Sequence, residues 1–520
     1  MTDNTDNKVN TESGSTVADL EEPTLIVQKG TSGFVGGMLA LSSGALITQC
    51  IQFLSSLVIS RLYNPEALGY AGVFFAIVEM IVVLVCLSYQ FTIVLPKRDE
   101  DAANLLVLCS ILVTTFAGFT ALAMGVFGSR ILYMLELSNL ESYKWLIPVA
   151  VFANGIVLPL RFWNTRNRHF KRLGLVRVEA ALINLCAITV LGFLGYTAGG
   201  QLVIAKMIGY SSVGIILGWY LLRYDWRFVL ASCTRRDIVT LAKRYKKFPL
   251  VTSWAAILNT GTLQLPYIVV AYLFDPVIVG FYVLAKGVLV LPRFLIAQAV
   301  GQVFLQHAGA TRAEGGNLAG LLEKSAKGLI TLGLLPMLIL ALAGKDLFHF
   351  VFGERWCNAG FYASILALAE FPAFVAAPLS GLFQVLERQG LLLFLNIFVV
   401  IARIGILALV GFITKDIVWA LLFSSMALAL VSVLQTRVLV GLAGANGWML
   451  FRYFLLHMLY AIPSIGIIGF FKWWFDGSTI YVLLACVLAV PPYLLLIFRN
   501  DQELSRILSQ VWGRVINIWR

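Results

Sequence analysis

The chain has little charge. Asp, Glu, Lys and Arg make up only 13% of its 520 residues, against 59% hydrophobic, and mean hydropathy is +0.86. A soluble protein of this size cannot keep so apolar a composition off its surface. The seven cysteines are odd in number, lie mostly within apolar runs and form no Cys-x-x-Cys pair, so we read neither a disulfide framework nor a metal site. The histidines His169, His307, His349 and His457 show no ligand spacing. No Gly-rich phosphate cradle occurs, which argues against an intrinsic ATPase, and no cofactor is expected. The amino terminus has no basic n-region, and its first apolar run is too long for a signal peptide.

What is present is a series of long apolar runs. Continuous runs of about twenty residues or more are membrane-spanning helices, whereas β-barrel strands would appear as short alternating segments. The fold class expected is all-α, one polytopic membrane protein of about fourteen spans. Hydropathy places them near 34–60, 68–95, 104–127, 145–165, 175–198, 202–222, 249–273, 277–303, 318–343, 359–386, 391–413, 417–440, 449–471 and 479–498. The fourth is the weakest, because Pro148, Pro159, Arg161 and Arg166 interrupt it.

The net charge of +12 raises nucleic acid as a partner, but the basic residues lie mostly in short loops. With both termini cytoplasmic, 28 of the 39 Lys and Arg fall inside or toward the inside ends of spans, 7 outside, and 4 deeper within spans. That bias supports the orientation and contact with anionic lipids, and excludes nucleic acid.

The resulting organisation is a disordered tail (1–32), a first lobe (33–222), a basic linker (223–248), a second lobe (249–440), two further spans (441–498) and a terminal helix (499–520). In the linker, Ile238, Leu241, Ala242 and Tyr245 form an apolar stripe, and the terminal segment has another. Both read as amphipathic helices lying on the membrane.

The lobes share a turn. Leu62-Tyr63-Asn64-Pro65 through Gly69-Tyr70 recurs as Leu273-Phe274-Asp275-Pro276 through Gly280-Phe281, at an offset of 211. Asn or Asp with Pro starts a helix, and Gly permits close helix approach. A second match, Arg172-Leu173-Gly174-Leu175 with Arg388-Gln389-Gly390-Leu391, lies at an offset of 216. Parallel repeats place a substrate site at their interface.

The repeated turn and the layout of two six-span lobes plus two spans resemble the multidrug/oligosaccharidyl-lipid/polysaccharide exporter superfamily, and within it the bacterial polysaccharide-transporter branch. That resemblance implies a V-shaped, two-lobe fold with a cationic central cavity. It also implies a flippase that moves polyprenyl-pyrophosphate-linked sugar repeat units across the inner membrane for O-antigen, capsule or exopolysaccharide. A polysaccharide polymerase and a chain-length regulator are the expected protein partners.

Ionisable residues inside spans are the candidates for the site. Lys286 and Arg293 lie seven apart on the eighth span, where Pro292 should bend the helix. A cationic stripe suits a diphosphate; the competing reading is a buried ion pair. Arg161 is placed at the inner mouth. Lys206 is placed at the start of the sixth span, where it can snorkel outward. Glu79 and Glu370 are candidates for ion coupling or charge balance, and Arg403 is read first as a partner of Glu370. Gln49, Gln52, Gln90, Asn154, Asn259 and Gln264 are candidate sugar contacts. Asp99-Glu100-Asp101 matches the DxD of glycosyltransferases but reads as a solvated charge cluster.

Two other functions remain open. A multidrug exporter of the same superfamily would need acidic residues to dominate the cavity. A membrane-embedded polymerase or glycosyltransferase would need a larger external loop than 128–144, the longest present. An enzyme is therefore not expected.

Overall fold

The computed structural model describes residues 24–134, 138–475 and 479–500. The terminal helix and most of the amino-terminal tail expected from sequence lie outside these residues. Residues 24–32, expected as tail, already belong to the first helix.

The first half comprises α1 (Thr24–Leu62), α2 (Pro65–Val85), α3 (Asp99–Met134), α4 (Leu146–Arg166), α5 (Phe170–Phe193) and α6 (Gly199–Tyr220). The linker holds α7 (Trp226–Ser232) and α8 (Arg235–Arg244). The second half comprises α9 (Ser253–Leu273), α10 (Pro276–Pro292), α11 (Gln298–Ala313), α12 (Leu318–Phe352), α13 (Cys357–Leu379), α14 (Gly381–Val385), α15 (Gln389–Thr414) and α16 (Ile417–Ala443). The chain continues through α17 (Gly447–Trp474), α18 (Thr479–Leu488) and α19 (Val490–Asn500). Among the described residues, thirteen helical segments are long and apolar enough to cross a membrane. The fourteenth crossing is interrupted: α10 is followed by a π-helical turn, Arg293–Ala297, and then by α11. Pro292 has no N–H for the helical ladder, and a π turn absorbs the lost bond. The fourth span, weakest in the sequence, is the single helix α4 with Pro159 inside it.

Fourteen crossings put both ends of the membrane domain on the face that carries the linker. At the opposite, far face the two repeated turns meet. A Cβ added to Gly69 would lie 1.9 Å from the Pro276 carbonyl oxygen, and one added to Gly280 would lie 1.8 Å from that of Pro65. Each turn's glycine thus receives the other turn's proline carbonyl, and α2 and α10 cross with backbones in contact. The loop between α12 and α13 covers this crossing. Trp356, fully buried, donates its indole N–H to the Ser60 carbonyl at 3.0 Å. Arg355 donates to Asn64 Oδ1 at 3.3 Å, and Arg61 to the Val351 carbonyl at 3.4 Å.

The linker's apolar stripe has a different neighbour from the one expected. Leu241 is buried, and Ile238, Ala242 and Tyr245 are half-buried, while the basic residues of α8 face outward. The stripe packs on α3 and on the 3-10 turn Tyr89–Val94 rather than facing lipid. Asn104 of α3 fixes the linker by donating to the Ser232 carbonyl and accepting from the Thr234 N–H, at 2.8 and 3.0 Å. Tyr89 donates to the Ala242 carbonyl at 2.9 Å.

Candidate functional site

Between the halves lies a continuous cavity in two chambers of about 560 and 430 Å³. Lys206, Tyr210, Val283, Gly287 and Val290 line both. A third space of about 540 Å³ shares Val290 and Arg293 and leads toward α14 on the linker face. Ile59, Leu68 and Leu284 line the cavity beneath the crossing of α2 and α10.

The walls follow from helical spacing. On α5, Arg177, Ala180, Ala181 and Asn184 stand at i, i+3, i+4 and i+7, and all four line the first chamber. On α6, Lys206, Gly209, Tyr210 and Val213 repeat that pattern. The small residues let the long polar ones occupy the space between helices.

Three cations in the first chamber, Arg161, Arg177 and Lys206, have no carboxylate within 4.0 Å among the described residues. Arg161 is about 8 Å from the linker-side end of α4 and Arg177 about 10 Å from that of α5, by helical rise. Lys206 is not at the start of its span: α6 begins at Gly199, two turns earlier, and the side chain lines the cavity rather than its rim. Arg166, only five residues beyond Arg161, has another task. Its guanidinium binds the carbonyls of Ile93, Pro96 and Arg98 and pairs with Asp99 at 2.8 Å. The Asp99-Glu100-Asp101 cluster opens α3, where it complements the helix dipole.

The second chamber is charge-balanced. Lys286 donates to Glu370 Oε1, and Arg403 lies 3.7 Å from the same oxygen. The three side chains are only 8–15% exposed. Tyr282 lies near Arg403 and packs edge-on against Tyr267. The ion-pair reading of Lys286 and Arg403 therefore describes the structure, while Arg293 stands exposed where the second and third spaces meet. Glu79 lines the second chamber with no cation within 4.0 Å among the described residues.

Of the candidate sugar contacts, Gln49, Gln52 and Gln264 line the cavity, whereas Gln90, Asn154 and Asn259 do not. Sequence reasoning missed Arg177, Asn184, Tyr210 and Tyr267. Arg177 follows closely on the loop charges Arg168, Lys171 and Arg172, which masks it in the sequence. The available signal was its seven-residue spacing to Asn184 across two alanines. Among the described residues no group of three His, Cys, Asp or Glu side chains is placed to hold a metal ion.

Residues 58–360 match the family model described as polysaccharide biosynthesis protein. No curated protein matches the chain. Among solved structures, the lipid II flippase MurJ in an inward closed conformation is similar with TM-score 0.70 and 13% identity, over 89% of this chain and 99% of that one. An inward-facing multidrug resistance MATE family transporter of the MOP superfamily scores 0.62 at 16% identity, over 78% and 99%. An outward-facing MATE structure scores 0.52 at 14% identity, over 80% and 96%. The match over more than half of its length, on the fold shared by these transporters, shows that the chain belongs to the polysaccharide biosynthesis protein family.

Proposed function

We propose that this protein is a flippase that carries polyprenyl-diphosphate-linked oligosaccharide repeat units across a bacterial inner membrane by alternating access. The observation that carries the reading is the set of cavity cations with no carboxylate within 4.0 Å, Arg161, Arg177 and Lys206, of which Arg161 interacts with Glu79 only at longer range. A diphosphate offers several acceptor oxygens and negative charge, which guanidinium forks and an ammonium complement. In a low-dielectric cavity such cations favour an anion strongly. The far face is sealed by the α2–α10 crossing, so with the linker cytoplasmic the structure is an inward-facing state.

In this reading the lobes are 33–222 and 249–440, joined by the linker 223–248 and followed by the spans in 441–498, with both termini cytoplasmic. The sugar-diphosphate head crosses through the cavity while the polyprenyl tail stays in lipid. Anionic lipids contact the basic linker face, and a polysaccharide polymerase and chain-length regulator act on the delivered units. A multidrug exporter is disfavoured because cations outnumber carboxylates in the cavity, the two carboxylates being Glu79 and Glu370.

Deleting the protein and locating the lipid-linked repeat units tests the proposal. Accumulation on the inner leaflet is expected. Normal translocation with unpolymerised units outside would instead favour a polymerase.

A further inference from the structure

We infer that α2 and α10 are a matched pair of hinged arms: each breaks at the equivalent position of its repeat, on the linker side of the cavity, and bends there when the far face opens. The inference rests on the alternating-access reading and assigns part of that motion to bends inside each half.

The repeat aligns the two breaks. At the offset of 211, residues 82–86 of the first half correspond to the π turn Arg293–Ala297 of the second. Cys86 stands seventeen residues beyond Gly69, and Ala297 seventeen beyond Gly280. Both breaks therefore lie about 25 Å along the helix from the crossing.

The two spans are broken by different means. In the first half α2 ends at Val85, and Leu87 and Ser88 both take left-handed backbone, with φ of 46° and 61°. That conformation is unfavourable for a residue with a side chain, and a bulky one adopts it only where its surroundings impose it. No other two neighbouring non-glycine residues do so among the described residues. The chain then continues as the 3-10 turn Tyr89–Val94. In the second half Pro292 and the π turn interrupt the ladder between α10 and α11. Short 3-10 and π pieces inside a span concentrate bending at one place.

Packing differs on the two sides of each break. The linker-side pieces are fastened within their own halves. The Tyr89–Val94 turn packs on α3 and α4, where Arg166 holds the Ile93 and Pro96 carbonyls at 3.1 and 2.8 Å and Phe91 meets Phe162 edge-on at 5.2 Å. In the second half α11 packs on α12, α13 and α14, so closely that a Cβ on Gly301 would lie 3.2 Å from Pro378 Cα. The far-side pieces, α2 and α10, form the interface and pack on each other across the halves. Each span thus has one end anchored in its own half and the other in the seal, with the break between them. The first break carries a tie of its own: the buried Ser88 hydroxyl lies 3.1 Å from that of Ser253, at the start of α9. A bond placed at a pivot holds while the arm swings about it.

The test uses pairs of spin labels on the full-length protein in nanodiscs. Glu66 on α2 and Glu141 on the turn Ser138–Tyr143 are exposed on the far side of the first half. Asp275 at the start of α10 and Lys345 on α12 serve the second half. Gly280→Val wedges the crossing open, and Gly69→Ala is the milder wedge should the first variant fail to fold. Glu66 stands 21 residues from Leu87. That is a lever of about 30 Å, so a bend of about 20° moves its end by roughly 10 Å. The wedge should shift both within-half distances by more than about 3 Å. Halves that rotate as rigid bodies, or that do not respond to the wedge, would keep both distances at their parent values and overturn the hinges. A shift in one half alone would overturn the matched pair. Neither distance depends on a transported lipid, so a rigid result leaves the flippase reading standing. That reading fails separately, if repeat units still reach the outer leaflet once the protein is deleted.

Discussion

At the scale of single residues, the structure divides charged groups of similar appearance into different tasks. Arg161 and Arg166 share one helix, yet the first lines the cavity and the second clamps a loop through three carbonyls. Lys286 and Lys206 are both intramembrane lysines, yet only Lys286 is held by a carboxylate. Glu370 serves two cations, so Glu370→Gln strips both at once. We expect it to destabilise by about 2–3 kcal/mol, the range for breaking a largely buried pair reduced for access to the cavity. Lys286→Met leaves Arg403 beside Glu370 and should cost less. Thermal unfolding in detergent checks the order, and a larger loss for Lys286→Met would contradict it. The intramembrane charges were legible in the sequence because hydropathy makes them conspicuous. Which of them pair was not, because Lys286 and Glu370 are 84 positions apart and meet only through helix packing. At the edge of the membrane, burial and then Arg172 hold the His169 imidazole below its usual range, with Asp225 opposing. The unfolded chain therefore takes up that proton more readily. Stability is intact above the ordinary histidine value of 6.5 and falls as pH drops below it toward the lowered one. The melting temperature should decline as pH drops below about 6.5, and His169→Gln should flatten that slope.

At the scale of elements, the repeated turn has a clear physical role. Its Asn or Asp, Pro and Gly were evident as a motif, and the duplication was legible from its recurrence. That the two copies pack against each other was not legible, because a repeat specifies likeness and not contact. Gly280→Val would drive a side chain into the Pro65 carbonyl, so the crossing of α2 and α10 should not close. Spin labels at Glu66 and Glu354, one in each half, should then report a longer distance than in the parent protein. An unchanged distance would show that this crossing does not seal the far face. Trp356→Ala removes a buried ring and a bond to the Ser60 carbonyl. It should weaken the closed state by about 3 kcal/mol, as loss of a large aromatic from a core does. The linker is a second case. Its amphipathic spacing was legible, but an apolar stripe looks the same whether lipid or protein covers it. Asn104 and Tyr89 decide the matter in favour of protein, so the linker is fastened to the first half.

At the scale of the molecule, an all-α fold of repeated membrane crossings was legible from hydropathy, and the structure describes thirteen helices long and apolar enough to cross, with one further crossing interrupted after α10. The position of the principal cations was not legible. The sequence reading put Lys286 and Arg293 first, whereas the structure turns attention to Arg161, Arg177 and Lys206. The shift arises because helix ends and rotations, rather than spacing along one helix, decide which charges face the same space. Relative motion of the halves would open the far face while the linker stays with the first. On the proposed function, cavity cations with no carboxylate within 4.0 Å carry the diphosphate. The most direct test of that proposal reconstitutes the protein in liposomes with a polyprenyl-diphosphate-linked sugar and measures how fast head groups reach the opposite leaflet. The triple variant Arg161→Gln, Arg177→Gln, Lys206→Gln should fold and insert but move head groups no faster than protein-free liposomes. Transport by that variant at the wild-type rate would contradict the account.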